Sequence, residues 1–282
     1  RARSPRDMIC PAMFENADAL RKLAALNPTP NGAAADGDGD LNLQLIEAVK
    51  ACDVEHVRRL GAQGARPTAT DADGMLPIHL ACQAEGAAVV CDLINALSQL
   101  HGFDPNAKST RGASVLHSAA KTCDASVVRL ISALPGFDGK ACTKGLVGSM
   151  VTPGHCATMN PNCVEVLNAL ADVDGFDINA HNGDGMGVLS YAVQMKRADI
   201  VSWMDTHGIS EDEMYGLDRF DQCAIFWAGH NKAADVIMAI LDLDGYSFLE
   251  QVRRFRHPET GVKDNSERDP LVDAIAENSD VL

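Results

Sequence analysis

The chain has 282 residues, 46% of them hydrophobic and only 5% aromatic, and a formal net charge of −15. This composition excludes a disordered chain, and the charge argues against a nucleic-acid partner, because phosphate recognition needs concentrated Lys and Arg. Nine cysteines, mostly inside helical apolar patterns, read as small buried hydrophobes of a reducing setting, and no apolar run approaches the roughly 18 residues of a membrane-spanning helix.

From the N-terminus, residues 11–26 place Met13, Ala17, Leu20, Leu23 and Ala24 at helical spacing among Glu15, Asp18, Arg21 and Lys22, which predicts an amphipathic helix. The Pro- and Asn-rich residues 27–32 end it, and the acidic, Gly-rich stretch to Asp40 reads as a linker. Arg1, Arg3, Ser4 and Arg6 precede the first acid, as in organelle transit segments, although a cut boundary explains the same residues. The expected location is intracellular, cytoplasmic first, with an organelle interior as the alternative. Asp36, Asp38, Asp40 and Glu47 have the ligand spacing of a calcium loop, with Leu43 at its apolar position. Leu41 stands where that loop needs Gly for its sharp turn, so an acidic linker is the expected reading.

Residues 43–50 and 54–60 predict a first helix pair, closed by Gly61 and Gly64. In the second unit Asp71, Asp73 and Gly74 make a turn and Pro77 opens a helix, where its missing N–H costs nothing. Ile78, Leu80, Ala81 and Cys82 form its packing face, and Val89, Val90, Leu93, Ile94 and Leu97 give the next helix its period. Residues 115–120 with Val127, Val128, Leu130 and Ile131 predict a third unit. Thr152-Pro153 and Ala157 with Val164, Val166, Leu167 and Leu170 predict a fourth. Residues 188–193 with Ile200, Val201 and Trp203 predict a fifth, and 223–228 with Val236, Ile237 and Ile240 a sixth. Beyond Gly245-Tyr246, residues 248–258 suggest an extra helix, 259–268 a polar loop, and 269–274 the opening of a truncated seventh unit. The division is an arm and linker over 1–40, repeats over 41–250, and an irregular segment over 251–282.

The units are self-similar. His79, His117 and His155 stand 38 residues apart, twice over, and Gly-Phe-Asp recurs at Gly102, Gly136 and Gly175. A period in the thirties means stacked units, none of which buries its apolar face alone.

Asp71, Gly74, Pro77, His79, Ala81, Gly86, Val89, Val90 and Leu93 in the second unit, with Gly112, Leu116, His117, Ala119, Ala120, Val127, Val128 and Leu130 in the third, resemble the ankyrin repeat. That unit runs Asp-x-x-Gly-x-Thr-Pro-Leu-His-x-Ala-Ala, then a second helix with Val-Val-x-x-Leu, a Gly, and an Asn-Ala exit. Asn106-Ala107 and Asn179-Ala180 resemble the exit. The resemblance covers about residues 41–250. The departures are Gly154 in place of the helix Leu, and Ser190-Tyr191 and Ile225-Phe226 in place of the His.

The resemblance implies an all-α helical solenoid of about six units with short turn tips and an N-terminal helical extension. It also implies that each imidazole bonds turn backbone and ties neighbouring units together. One His per equivalent slot cannot converge on one catalytic site. Among zinc-type residues, adjacent His155 and Cys156 point in different directions on a helix. Cys163 and Cys142 supply no Cys-x-x-Cys partner, so no metal site is expected. Phosphate-loop, nucleophile-elbow and metalloprotease motifs are missing from the sequence, so no catalytic residue or cofactor is expected.

The implied function is protein–protein recognition, as an adaptor or scaffold, through the turn tips and the inner-helix face. The tip candidates are Thr70, Asp71, Asp73, Lys108, Thr110, Arg111, His181, Asn182 and Asp184. The inner-helix candidates are Gln83, Lys121, Thr122, Met159, Asn160, Gln194, Lys196, His230 and Asn231, and Arg253, Arg254 and Arg256 make a separate basic cluster. The expected partner is a protein, not nucleic acid. The alternatives are a permanently bound accessory subunit of a large, multi-subunit (organellar) assembly, or a targeting module of a larger enzyme.

Overall fold

A computed structural model describes residues 36–146, 149–218 and 222–251. The chain divides after Gly39, and the second unit, from Asp40 onward, carries the stack. Helix α1 (Asp36–Lys50) pairs with α2 (Val54–Ala62), α3 (Pro77–Ala81) with α4 (Ala87–Ser98), and α5 (Val115–Thr122) with α6 (Ala125–Ser132). A one-turn helix, α7 (Gly139–Cys142), precedes the pairs α8 (Pro153–Ala157) with α9 (Cys163–Ala171) and α10 (Val188–Gln194) with α11 (Ala198–Thr206). A second one-turn helix, α12 (Glu211–Tyr215), leads to α13 (Ala224–His230) and α14 (Ala234–Leu241). No strand occurs among the described residues.

From α3 onward, each first helix starts where a residue in extended conformation meets Pro or a β-branched or small residue, as at Leu76-Pro77 and Thr152-Pro153. The first helices α3, α5, α8, α10 and α13 pack on one another in succession, and so do the second helices α2, α4, α6, α9, α11 and α14. The core therefore runs the length of the stack, with Leu60, Leu93, Leu116, Ile131, Leu167, Leu189 and Ile200 among its fully buried members. Each such side chain contributes about 2 kcal/mol, and packing both within a pair and between neighbouring units buries them.

The helix pairs match the predicted units, with some differences. The stretch read as a linker is already helical from Asp36, so the loop that calcium spacing requires is absent. Gly61 does not close the first pair but lies within α2, where a Cβ would collide with the side chain of Leu100, just past the end of α4. Helices α7 and α12 carry no periodic apolar pattern and were not predicted. The predicted helix over 11–26, the loop over 259–268 and the seventh unit lie outside the described residues, and of 248–258 only 248–251 are described, as helix.

Candidate protein-binding face

The interior of the stack satisfies its polar groups through three ladders of side chains bonded to the next or the preceding unit. The first ladder is built on the repeated histidines. His117 stands at the third position of α5, and its Nδ1 accepts the Ser114 N–H at 3.2 Å and lies 2.8 Å from the Ser114 hydroxyl. That leaves Nε2–H to donate to the Val151 carbonyl at 3.0 Å, in the next unit. His155 repeats the arrangement with Thr152 on its own helix and the Met186 carbonyl, 3.0 Å away, in the unit beyond. Both are capping boxes in which His takes the place usually held by Glu or Gln. Burial pushes both imidazoles down to about 4, so they are neutral, as one donor and one acceptor nitrogen require. His79 donates to the Ala113 carbonyl at 2.9 Å, but Leu76 occupies its cap position and leaves Nδ1 buried without a partner.

The second ladder joins each exit loop to a glycine carbonyl one unit on. Asn106 donates to Gly136 O at 2.7 Å and Asn179 to Gly208 O at 3.1 Å. Where the exit is not Asn, the one-turn helices supply the donor. Thr143, just after α7, donates to Gly175 O at 2.9 Å, and Tyr215, ending α12, donates to Gly245 O at 3.0 Å. The third ladder joins the turns between paired helices. Thr122 donates to Cys82 O at 2.6 Å, and Asn160 to Ala120 O and Cys123 O at 3.0 and 2.9 Å. Arg197 donates to Asn160 O at 3.0 Å while pairing with Asp199.

The fifth unit lacks the histidine, and a carboxylate takes over its work. Glu213, on α12, is buried and accepts the Leu189 N–H in the first turn of α10 at 2.6 Å. His181 Nε2 lies 3.1 Å from its other oxygen, and this bond raises the His181 pKa above its ordinary value. A Cβ on Gly187 would collide with that carboxylate. Trp227 likewise donates to Asp218 at 2.8 Å, and Tyr215 stacks on Tyr246 at 5.3 Å.

The ladders remove some sequence candidates from the surface. Asn160 is 2% exposed and Asn182 8%, the latter accepting the Asp184 and Met186 N–H groups within its own turn. Both are interior scaffolding. Their polar type suggested a surface role, but the carbonyls that Asn160 serves lie a whole unit away and the N–H groups that Asn182 accepts lie two and four residues on. Thr122 is exposed with its hydroxyl committed, and Asp71 is held by Lys50 at 3.3 Å and by the Met75 N–H. Met159, Asp184, Gln194 and Asn231 are half-buried. Thr70, Asp73, Gln83, Lys108, Thr110, Arg111, Lys121, His181, Lys196 and His230 are exposed. The tips adjoin one another, since Thr110 N–H donates to Gly74 O at 3.0 Å and Gly183 N–H to Ser149 O at 2.8 Å. Arg253, Arg254 and Arg256 lie outside the described residues.

The zinc-type residues are committed elsewhere. Both His155 nitrogens are used, burial pushes Cys156 up to about 12, and Cys163 is bound by Arg197. No His, Cys, Asp and Glu grouping fit for a metal ion occurs among the described residues. No described helix is long and apolar enough to cross a membrane.

No family model matches the chain. Its architecture is similar to the ankyrin repeat domain of Bcl-3, a member of the IkappaB protein family, with a TM-score of 0.57 at 20% identity over 83% of this chain and 97% of that one. The ankyrin repeat protein EF0377 gives 0.57 at 16% identity, covering 71% of this chain and 98% of that one. The human ASB11 ankyrin repeat domain gives 0.54 at 20%, covering 72% and 84%.

The chain has the ankyrin repeat fold. In sequence, human B-cell lymphoma 3 protein is 29% identical over 163 residues, 57% of this chain. Zygote-specific protein 3 of Chlamydomonas reinhardtii is 39% identical over 83 residues, 29% of this chain. The matches span 34% and 21% of the lengths of these relatives. Ankyrin repeat domains are in general protein–protein interaction modules, and in this chain the histidine slots identified from the period are the joints of the stack.

Proposed function

We propose that this ankyrin repeat chain is a non-enzymatic adaptor or scaffold that recognises a protein through its turn tips and inner-helix edges. The observation that carries this reading is the division of labour among polar side chains. Those that face a neighbouring unit are consumed by the three ladders, whereas Thr70, Asp73, Gln83, Lys108, Thr110, Arg111 and Lys121 stay exposed on adjoining tips and first helices. Exposed side chains on a rigid scaffold are free to be chosen for a partner without cost to the core. The described cysteines are all free of disulfides, which supports a reducing, intracellular compartment.

The test is a native, mildly crosslinked capture from the source cell followed by size-exclusion chromatography and mass spectrometry. Salt-sensitive, sub-stoichiometric protein partners are expected. A chain that turns over a small molecule and captures no protein would overturn the reading, and a stoichiometric large complex would replace the adaptor with a fixed subunit.

A further inference from the structure

The chain has 39 acidic residues, yet none falls between residues 105 and 123 or between 139 and 163. The structure shows what these two stretches are. Their described residues belong to the exit loop, tip and first helix of the third unit and of the fourth. The acids of these units, such as Asp124, Asp138, Glu165, Asp172 and Asp174, sit in the turns and second helices instead.

The cations left on this face are exposed and uncompensated. Lys108 and Arg111 on the third tip, Lys121 on α5 and Lys144 before the fourth tip form no ion pair among the described residues, whereas Lys50, Arg58, Lys140 and Arg197 each have a carboxylate partner. Lys108 lies close enough to His117 and Cys142, and Lys121 to Cys156, for their charges to act there, which places both over the third and fourth units. On the fourth tip, six residues after Lys144, Met150 is 52% exposed and holds a positive φ of 55°, a left-handed conformation that a Met does not adopt without cost. The turn is held by the Met150 N–H donating to Leu146 O at 2.8 Å, and the Met150 carbonyl lies so close to Gly145 that a Cβ there would collide with it.

We infer that the tips and first helices of the third and fourth units bind a short acidic segment of a partner protein, with Met150 on the fourth tip as its apolar anchor. This rests on the reading of the chain as a protein-recognition module. The basic face is two units wide, and acids bound it on both sides: Asp71 and Asp73 on the second tip, Asp177 and Asp184 before and on the fifth. A long polyanion such as nucleic acid would run onto those carboxylates, but a segment a few residues long would not. Charge complementarity of this kind sets register and on-rate, while a desolvated apolar contact at its centre slows dissociation.

The experiment uses the full chain and a fluorescent peptide with about four glutamates around a central leucine, a length that matches recognition of an extended segment. Binding is followed by anisotropy against salt. Lys108→Glu with Arg111→Glu should weaken binding at least tenfold, and Met150→Ser several-fold. Arg129→Glu, an exposed reversal on α6, should leave binding within twofold. The glutamine version of the peptide should not bind. Equal losses from Arg129→Glu, a glutamine peptide that binds as well, or an oligonucleotide that binds more tightly than the peptide would each overturn the assignment.

A selection of random peptides on the same protein separates this inference from the broader reading. Non-acidic peptides that are lost on Met159→Arg but survive Lys108→Glu with Arg111→Glu would keep a peptide-binding face and overturn its acidic ligand. Selected peptides indifferent to all of these substitutions would overturn both.

Discussion

The third and fourth units and the fifth unit solve one problem with opposite chemistry. Each must satisfy the first turn of its leading helix and fasten itself to the next unit. In the third and fourth units a neutral imidazole does both, because one ring nitrogen accepts from the cap and the other donates across the joint. In the fifth, the slot holds Ser190-Tyr191, and a buried carboxylate from the intervening helix α12 reaches back to α10, held in turn by His181. The lesson is that the joint, not the residue, is what the fold preserves. A histidine joint works only while it is uncharged, and the Glu213–His181 joint is strongest when both partners are charged.

Acidification should therefore break the two regions apart, and this is the largest expected effect. His117 and His155 have folded pKa values of about 4 against an ordinary 6.5, so the unfolded chain takes up their protons first. Their contribution is complete above about pH 6.5 and is lost as pH falls toward 4, up to about 3 kcal/mol for each. The His181 shift has the opposite sign, so its contribution is present below about 6.5 and is lost as pH rises through its raised folded value. Amide exchange read unit by unit should show α5 and α8 opening at acid pH and α10 and α12 loosening at alkaline pH. A uniform response along the chain would contradict the contrast.

Replacing a histidine sharpens the same contrast. His117→Ala strands the Ser114 N–H and the Val151 carbonyl in the interior and should cost about 3 kcal/mol in urea unfolding. His79→Ala should cost less, by about 1 kcal/mol, because Leu76 has already left its Nδ1 without a partner. Glu213→Gln keeps one acceptor for the Leu189 N–H but gives up the charge facing His181. A loss of about 1–2 kcal/mol is expected, together with disappearance of the alkaline slope.

Lys196 and Lys232 hold φ values of 56° and 53° one residue before the N-caps Arg197 and Ala233 of their second helices. Lys196→Gly and Lys232→Gly should each stabilise the chain by about 1 kcal/mol, the smallest effect in this series. A loss at either position would mean that the lysine side chain holds something in place.

The histidine joints were legible in the sequence because they recur at a fixed period and share local neighbours. Asn106 and Asn179 were legible as exits for the same reason, although the glycine carbonyls they bind were not named. Thr143 and Tyr215 do the same work from one-turn helices too short to carry a periodic signal. Glu213 was invisible because its partner lies 24 residues earlier and no motif joins a carboxylate to a helix start at that distance. Asn160 and Asn182 were placed on the binding face because a polar residue in a turn reads as solvated. Only the coordinates show the carbonyls and N–H groups that enclose them.

The most direct test of the account is amide exchange on the chain with and without its captured protein partner. Added protection is expected at the tips around residues 70–75 and 108–113, at 144–146 and 149–151, and along α5 and α8, with α4, α6 and α9 unchanged. Protection confined to the second helices, with the tips unaffected, would contradict it.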